Sequence, residues 1–78
     1  MRLKMTVHFQ DRLQERGINL DHVKSAIREP DETEDVFEGK IRVKKQVGEK
    51  EIEVIYCKET FRDKKEEYII ITAYYINI

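Results

Sequence analysis

Tyr68-Ile69-Ile70-Ile71-Thr72-Ala73-Tyr74-Tyr75-Ile76 is a nearly unbroken apolar, β-branched and aromatic run in a chain of 78 residues. Such a run predicts a strand buried on both faces, close to the centre of a sheet. Strict alternation assigns Tyr68, Ile70, Thr72 and Tyr74 to one of its faces and Ile69, Ile71, Ala73 and Tyr75 to the other. Toward the N-terminus the period of two continues. Ile52, Val54 and Tyr56 alternate with Glu51, Glu53 and Ile55, and Ile41 and Val43 alternate with Arg42 and Lys44. Gly48-Glu49-Lys50 between them predicts a hairpin loop. Lys58 to Glu67 is charged and predicts the next connection, and Glu34 to Phe37 predicts one more short strand.

Upstream of Val36 the period is helical. Thr6 is placed as an N-cap, Phe9 and Leu13 fall one turn apart, and Gly17 follows Arg16 where a helix would end. A second helix is predicted from Leu20 to Glu29, with Asn19 as its cap, Leu20, Val23 and Ile27 on one face and Pro30 as its stop. The predicted class is α+β: two N-terminal helices packed on one face of a roughly four-stranded, mostly antiparallel sheet (ααββββ), in one domain over residues 1–78.

Hydrophobic and charged residues each make up 40% of the chain, and 15 basic against 16 acidic groups leave a net charge of −1. A chain this short buries only about 60% of its unfolded surface, which leaves little room for a deep cofactor cavity. One cysteine and two histidines fall short of a zinc-ligand pattern, so neither a metal nor a cofactor is expected. There is no apolar stretch of membrane-spanning length, and the N-terminus lacks the apolar core of a signal peptide. The expected location is therefore the cytoplasm, with no membrane partner. A near-neutral domain is a poor general ligand for nucleic acid, so any phosphate site must be local. Residues 31–39 carry five acidic groups and no basic ones, whereas 40–50 carry five basic groups and one acidic. Adjacent strands pairing these charges account for that asymmetry.

Steps of about 100° along the first helix bring His8, Arg12 and Arg16 to one edge, beside the apolar stripe of Phe9 and Leu13. Guanidinium groups at such an edge can grip a phosphate, and an imidazole there can move a proton near neutral pH. A structural role competes: a terminal arginine packs its stem along the sheet and caps carbonyls or pairs with carboxylates. Thr72 is the one small hydroxyl of the closing strand, with the Tyr74 phenol two residues away on the same side, and the two could orient a substrate phosphate or a catalytic imidazole. Lys40, Arg42 and Lys44 share a strand face, either as a footprint for single-stranded nucleic acid or as partners of Glu51 and Glu53 across the hairpin. His22 falls opposite the apolar face of its helix and is expected to be exposed. Cys57 is expected to be a semi-buried strand residue.

His8-x3-Arg12-x3-Arg16-Gly17-Ile18, followed by Val23 and Ile27 and closed by Ile69-Ile70-Ile71-Thr72-Ala73-Tyr74, resembles a family of small domains that open on a His-x3-Arg-x3-Arg-Gly-[Ile/Val] helix. That family looks like a distant branch of the superfamily uniting barnase, EndoU, colicin-type and RelE ribonucleases. The resemblance spans nearly the whole chain, although only the opening motif is specific. It implies His8 as a general acid/base, Arg12 and Arg16 as phosphate ligands, and Thr72 with Tyr74 as supporting groups. The implied chemistry is metal-independent RNA cleavage through the 2′-hydroxyl, in a toxin-type domain held by an antitoxin-like protein or by self-association. Against it stands a non-enzymatic binding or structural module, whose cationic helix edge serves salt bridges or partner contact.

Overall fold

The fold is that of a computed structural model, which describes residues 2–36, 38–60, 62 and 65–77. Helix α1 (Val7–Glu15) starts where the Thr6 hydroxyl accepts the Phe9 N–H at 3.1 Å, and ends through Arg16 into Gly17 at φ +61°. A left-handed residue closes a helix cheaply only when it lacks a Cβ. Helix α2 (Leu20–Arg28) is capped by the Asn19 side chain, which accepts the Asp21 N–H at 2.8 Å. Both caps lie where the sequence predicts them.

Five strands form one sheet: β1 (Arg2–Met5), β2 (Glu32–Asp35), β3 (Lys40–Val47), β4 (Lys50–Thr60) and β5 (Glu66–Asn77), in the order β1-β5-β4-β3-β2. All neighbours are antiparallel except β1, which runs parallel to β5. The class is α+β as expected, but the strand count is five instead of four. The additional strand is Arg2–Met5, whose alternation of Arg2 and Lys4 with Leu3 and Met5 is too short to stand out. It places Met5 in the sheet, paired with Ile70. Lys58 to Glu67 is shorter as a connection than expected, because the β4–β5 ladder continues through Lys58↔Tyr68 to Thr60↔Glu66. Backbone pairing and the Lys58–Glu66 ion pair carry the strands through this charged stretch. The short strand expected at Glu34 to Phe37 is β2, two residues earlier, and Phe37 lies outside the described residues.

The centre of the sheet is β4, not β5. Among the described residues the outer side of β5 is covered only where Arg2 to Met5 meet Glu67 to Ile70. A β-bulge alters the closing strand further. Ile55 pairs with Thr72 while Tyr56 pairs with Ile70, so Ile71 is an extra residue. One inserted residue reverses the side-chain alternation beyond it. Tyr68 and Ile70 therefore share a face with Ala73 and Tyr75, whereas Thr72 and Tyr74 share the opposite face with Ile69. The strict alternation expected for 68–75 fails at this bulge.

The helices cover one face only. Phe9, Ile18, Val23, Ala26 and Ile27 pack there against Val43, Ile52, Val54, Tyr56, Ile70 and Ala73. Val23, Ala26, Ile52, Val54 and Ala73 are completely buried, which is the main apolar contribution such a small domain can make. Among the described residues no helix is long and apolar enough to cross a membrane.

Candidate functional site

The helix-borne part of the expected site is accessible. His8 and Arg12 are exposed on α1, and among the described residues neither makes an ion pair. Arg16 is different. Its Nη1 donates to the carbonyl of Ala73 at 3.1 Å and ties the end of α1 to β5. This is the carbonyl-capping role that the sequence offered as its structural alternative.

Thr72 and Tyr74 do not join them. Thr72 pairs with Ile55 and Tyr74 with Glu53, so both side chains stand on the face turned away from the helices. The sheet separates them from His8 and Arg12. A shared pocket between the α1 edge and these two groups is therefore not formed, because the bulge at Ile71 turns Thr72 and Tyr74 outward.

Arg42 and Lys44 also occupy the open face, but among acids. Arg42 is bonded to Glu34 across β2–β3, and its Nε lies 3.8 Å from Glu53 Oε1. Lys44 Nζ lies 3.9 Å from the same oxygen. The hydrogen bond that Arg42 donates to Glu34, followed by the charge of that carboxylate, raises the Arg42 pKa above its ordinary value. Glu32, Thr33, Glu34, Arg42 and Lys44 line an open depression of about 400 Å³. An anion entering it meets two carboxylates and must compete for an occupied guanidinium. The pairing of acidic 31–39 with basic 40–50 thus takes place, in the register Glu32↔Lys44 and Glu34↔Arg42.

Several features escape periodicity. Glu53 is only 4% exposed, although it lies on the uncovered face. Its alternation with Ile52 and Val54 marks it as outward-facing, but the enclosure comes from neighbouring strands. His22 is half-buried rather than exposed, with Nδ1 2.8 Å from the Tyr75 hydroxyl, which also accepts the Asn19 N–H at 3.0 Å. A helical wheel drawn on one helix has no knowledge of a phenol arriving from a strand 53 residues away. At the other end of β5, Lys58 Nζ sits 3.0 Å from Glu66 Oε1, and the Tyr68 hydroxyl donates to Glu66 Oε2 at 3.1 Å. The Tyr68 and Tyr56 rings meet edge to face at 5.5 Å, and burial pushes both phenols upward in pKa.

Beyond the ion pairs of Arg42, Lys44 and Glu53, the open face carries apolar side chains along β4 and β5, with Glu51, Glu59 and Glu67 on the same side. Ile55, Cys57, Ile69 and Ile76 are half-buried there and Tyr74 is 37% exposed, while the unpaired bulge residue Ile71 is 39% exposed. The same face holds Thr72. No group of three or more His, Cys, Asp or Glu among the described residues could hold a metal ion. Comparison with protein families, with curated proteins and with solved structures finds no match for this chain.

Proposed function

We propose that this chain is a non-enzymatic binding module that takes a protein partner on the open face of its sheet. The observation that carries the reading is the apolar stripe Ile55, Ile69, Tyr74 and Ile76 on a face that neither helix covers, beside the exposed bulge residue Ile71. A solvated sheet face ordinarily alternates to polar residues, and contiguous exposed apolar groups mark contact surfaces. Around the stripe, Arg42, Lys44, Glu34 and Glu53 form a polar rim already paired within the molecule. Such a rim suits a protein surface better than a polyanion.

Cys57 sits on this face and is the only cysteine of the chain, so a photoreactive maleimide attached to it samples the surface without any substitution. The expected result is a discrete protein adduct that Ile69→Glu abolishes and Arg12→Ala leaves intact. An adduct indifferent to Ile69→Glu, or none, overturns the reading.

A second reading, a metal-independent ribonuclease, is favoured by one observation: His8 and Arg12 are exposed, and among the described residues neither makes an ion pair. They can offer a proton-transfer group and a phosphate ligand one turn apart. Incubation with single-stranded RNA decides it. Products ending in 2′,3′-cyclic phosphate that disappear in His8→Ala establish cleavage, and intact RNA removes this reading.

A further inference from the structure

The three edge segments of the sheet differ in protection. β2, Glu32-Thr33-Glu34-Asp35, is four residues long, exposed throughout and acidic. β1 is equally short and carries Arg2 and Lys4. Short, charged edges resist pairing with other chains. The third edge is the outer side of β5 beyond Ile70, where β1 stops. Thr72-Ala73-Tyr74-Tyr75-Ile76-Asn77 contains no charge and no proline, and four of its six residues are aromatic or β-branched. Among the described residues no strand pairs with it on that side.

The hydrogen-bonding direction of this edge can be read from Arg16. Its guanidinium reaches the Ala73 carbonyl from the α1 side, so that carbonyl points away from β4. Bonding directions alternate along an antiparallel strand, and the N–H and C=O of Tyr75 point outward with those of Ala73. Residues 73 and 75 therefore present two outward donor and acceptor sets, one of whose carbonyls has Arg16 on a single lone pair.

We infer that a second copy of this chain pairs with that edge, β5 against β5 in antiparallel orientation, to make one continuous ten-stranded sheet. In the register centred on Tyr74, Ala73 of each copy faces Tyr75 of the other, so that identical donor and acceptor sets satisfy each other. Tyr74 meets its own copy across the two-fold axis on the open face, and Thr72 meets Ile76. A neutral edge permits this self-match, whereas β2 against β2 would oppose acid to acid and β1 against β1 base to base. The 72–77 segment begins just past the end of β1, so β1 stays in place in both copies. The edge shares the side chains of Tyr74 and Ile76 with the apolar stripe, but its pairing runs through the backbone groups of Ala73 and Tyr75, whose amide exchange reads it apart from contact on the open face.

Sedimentation of the whole chain tests the inference. The wild type is expected at twice the mass of one chain, dissociating on dilution. Tyr74→Lys and Tyr74→Glu each set like charges across the axis and are expected to sediment as folded monomers, whereas their equimolar mixture recovers the dimer. A wild type monomeric at every concentration overturns the inference, as does a dimer that survives both substitutions. If either variant fails to fold, amide exchange in the wild type is the second measurement. The Ala73 and Tyr75 amides are expected to exchange more slowly as protein concentration rises. Rates independent of concentration, or slowed only by an added foreign peptide, overturn the second copy as occupant.

Discussion

The two faces of the sheet are built from the same strands and differ in almost everything else. On the covered face Val43, Ile52, Val54, Ile70 and Ala73 are buried under two helices and make the apolar contribution to stability. On the open face, residues in the same strands alternate between ion pairs on β2 and β3 and half-buried apolar side chains on β4 and β5. Position along one strand therefore says little about energetic weight: Ile52 and Ile55 are three residues apart, one completely buried and the other only half. The difference teaches that one face holds the fold and the other is available for contact.

Truncating one residue on each face is the strongest way to break that contrast. Ile52→Ala opens a cavity beneath the helices and is expected to cost about 3 to 4 kcal/mol, while Ile55→Ala costs about 1 kcal/mol. Urea unfolding midpoints measure both. Equal losses would mean that the open face also carries the core.

Glu53 sharpens the same comparison, because among the described residues it is the one buried charged side chain and belongs to the open face. Its removal in Glu53→Ala leaves Arg42 with Glu34, and Lys44 about a third exposed and solvated. The expected cost is about 1 to 2 kcal/mol, below that of a broken fully buried pair, where a lone charge would remain. Unfolding in urea again reports it. A stability equal to wild type would show that Arg42 and Lys44 gain nothing from this carboxylate.

The arginines of α1 differ in the same sense. Arg16→Ala loses the bond to the Ala73 carbonyl and is expected to cost about 1 kcal/mol. Arg12→Ala, on an exposed side chain that makes no ion pair among the described residues, is expected within about 0.5 kcal/mol of wild type. If RNA binds at all, Arg12→Ala weakens it; titration with single-stranded RNA reads that separately from the unfolding midpoint.

The helices were legible because their signals are local: Thr6 and Asn19 act as caps within three residues of themselves, and Gly17 takes its positive φ at the turn. The β3–β4 hairpin was legible for the same reason. Gly48, at φ +68°, begins a two-residue loop of the kind that favours glycine at its first position. What escaped depends on partners remote in sequence. β1 becomes a strand only because β5 is beside it. The bulge at Ile71 is invisible in a run of similar apolar residues, yet it decides which face Thr72 and Tyr74 occupy. The site suffered most from this, since a one-residue shift in one strand separates the two halves of the expected constellation.

The smallest effect concerns Lys58 and Glu66, whose pairing closes the far end of the β4–β5 ladder. Hydrogen bonds from Lys58 and then from Tyr68 hold the Glu66 carboxyl below its ordinary 4.5, and Glu66 in turn raises Lys58 above its ordinary 10.5. A depressed carboxyl contributes stability that is fully present above 4.5 and is lost as pH falls through its lower folded value. A raised amine contributes stability that is fully present below 10.5 and is lost as pH rises through its higher folded value. Between those limits the pair adds a constant contribution, kept small by exposure and screened by salt. Glu66→Gln is expected to flatten the acid limb of the unfolding midpoint slightly below pH 4.5 while leaving the neutral plateau nearly unchanged. An acid limb that keeps its full wild-type slope would mean that the Lys58–Glu66 pair makes no pH-dependent contribution to stability.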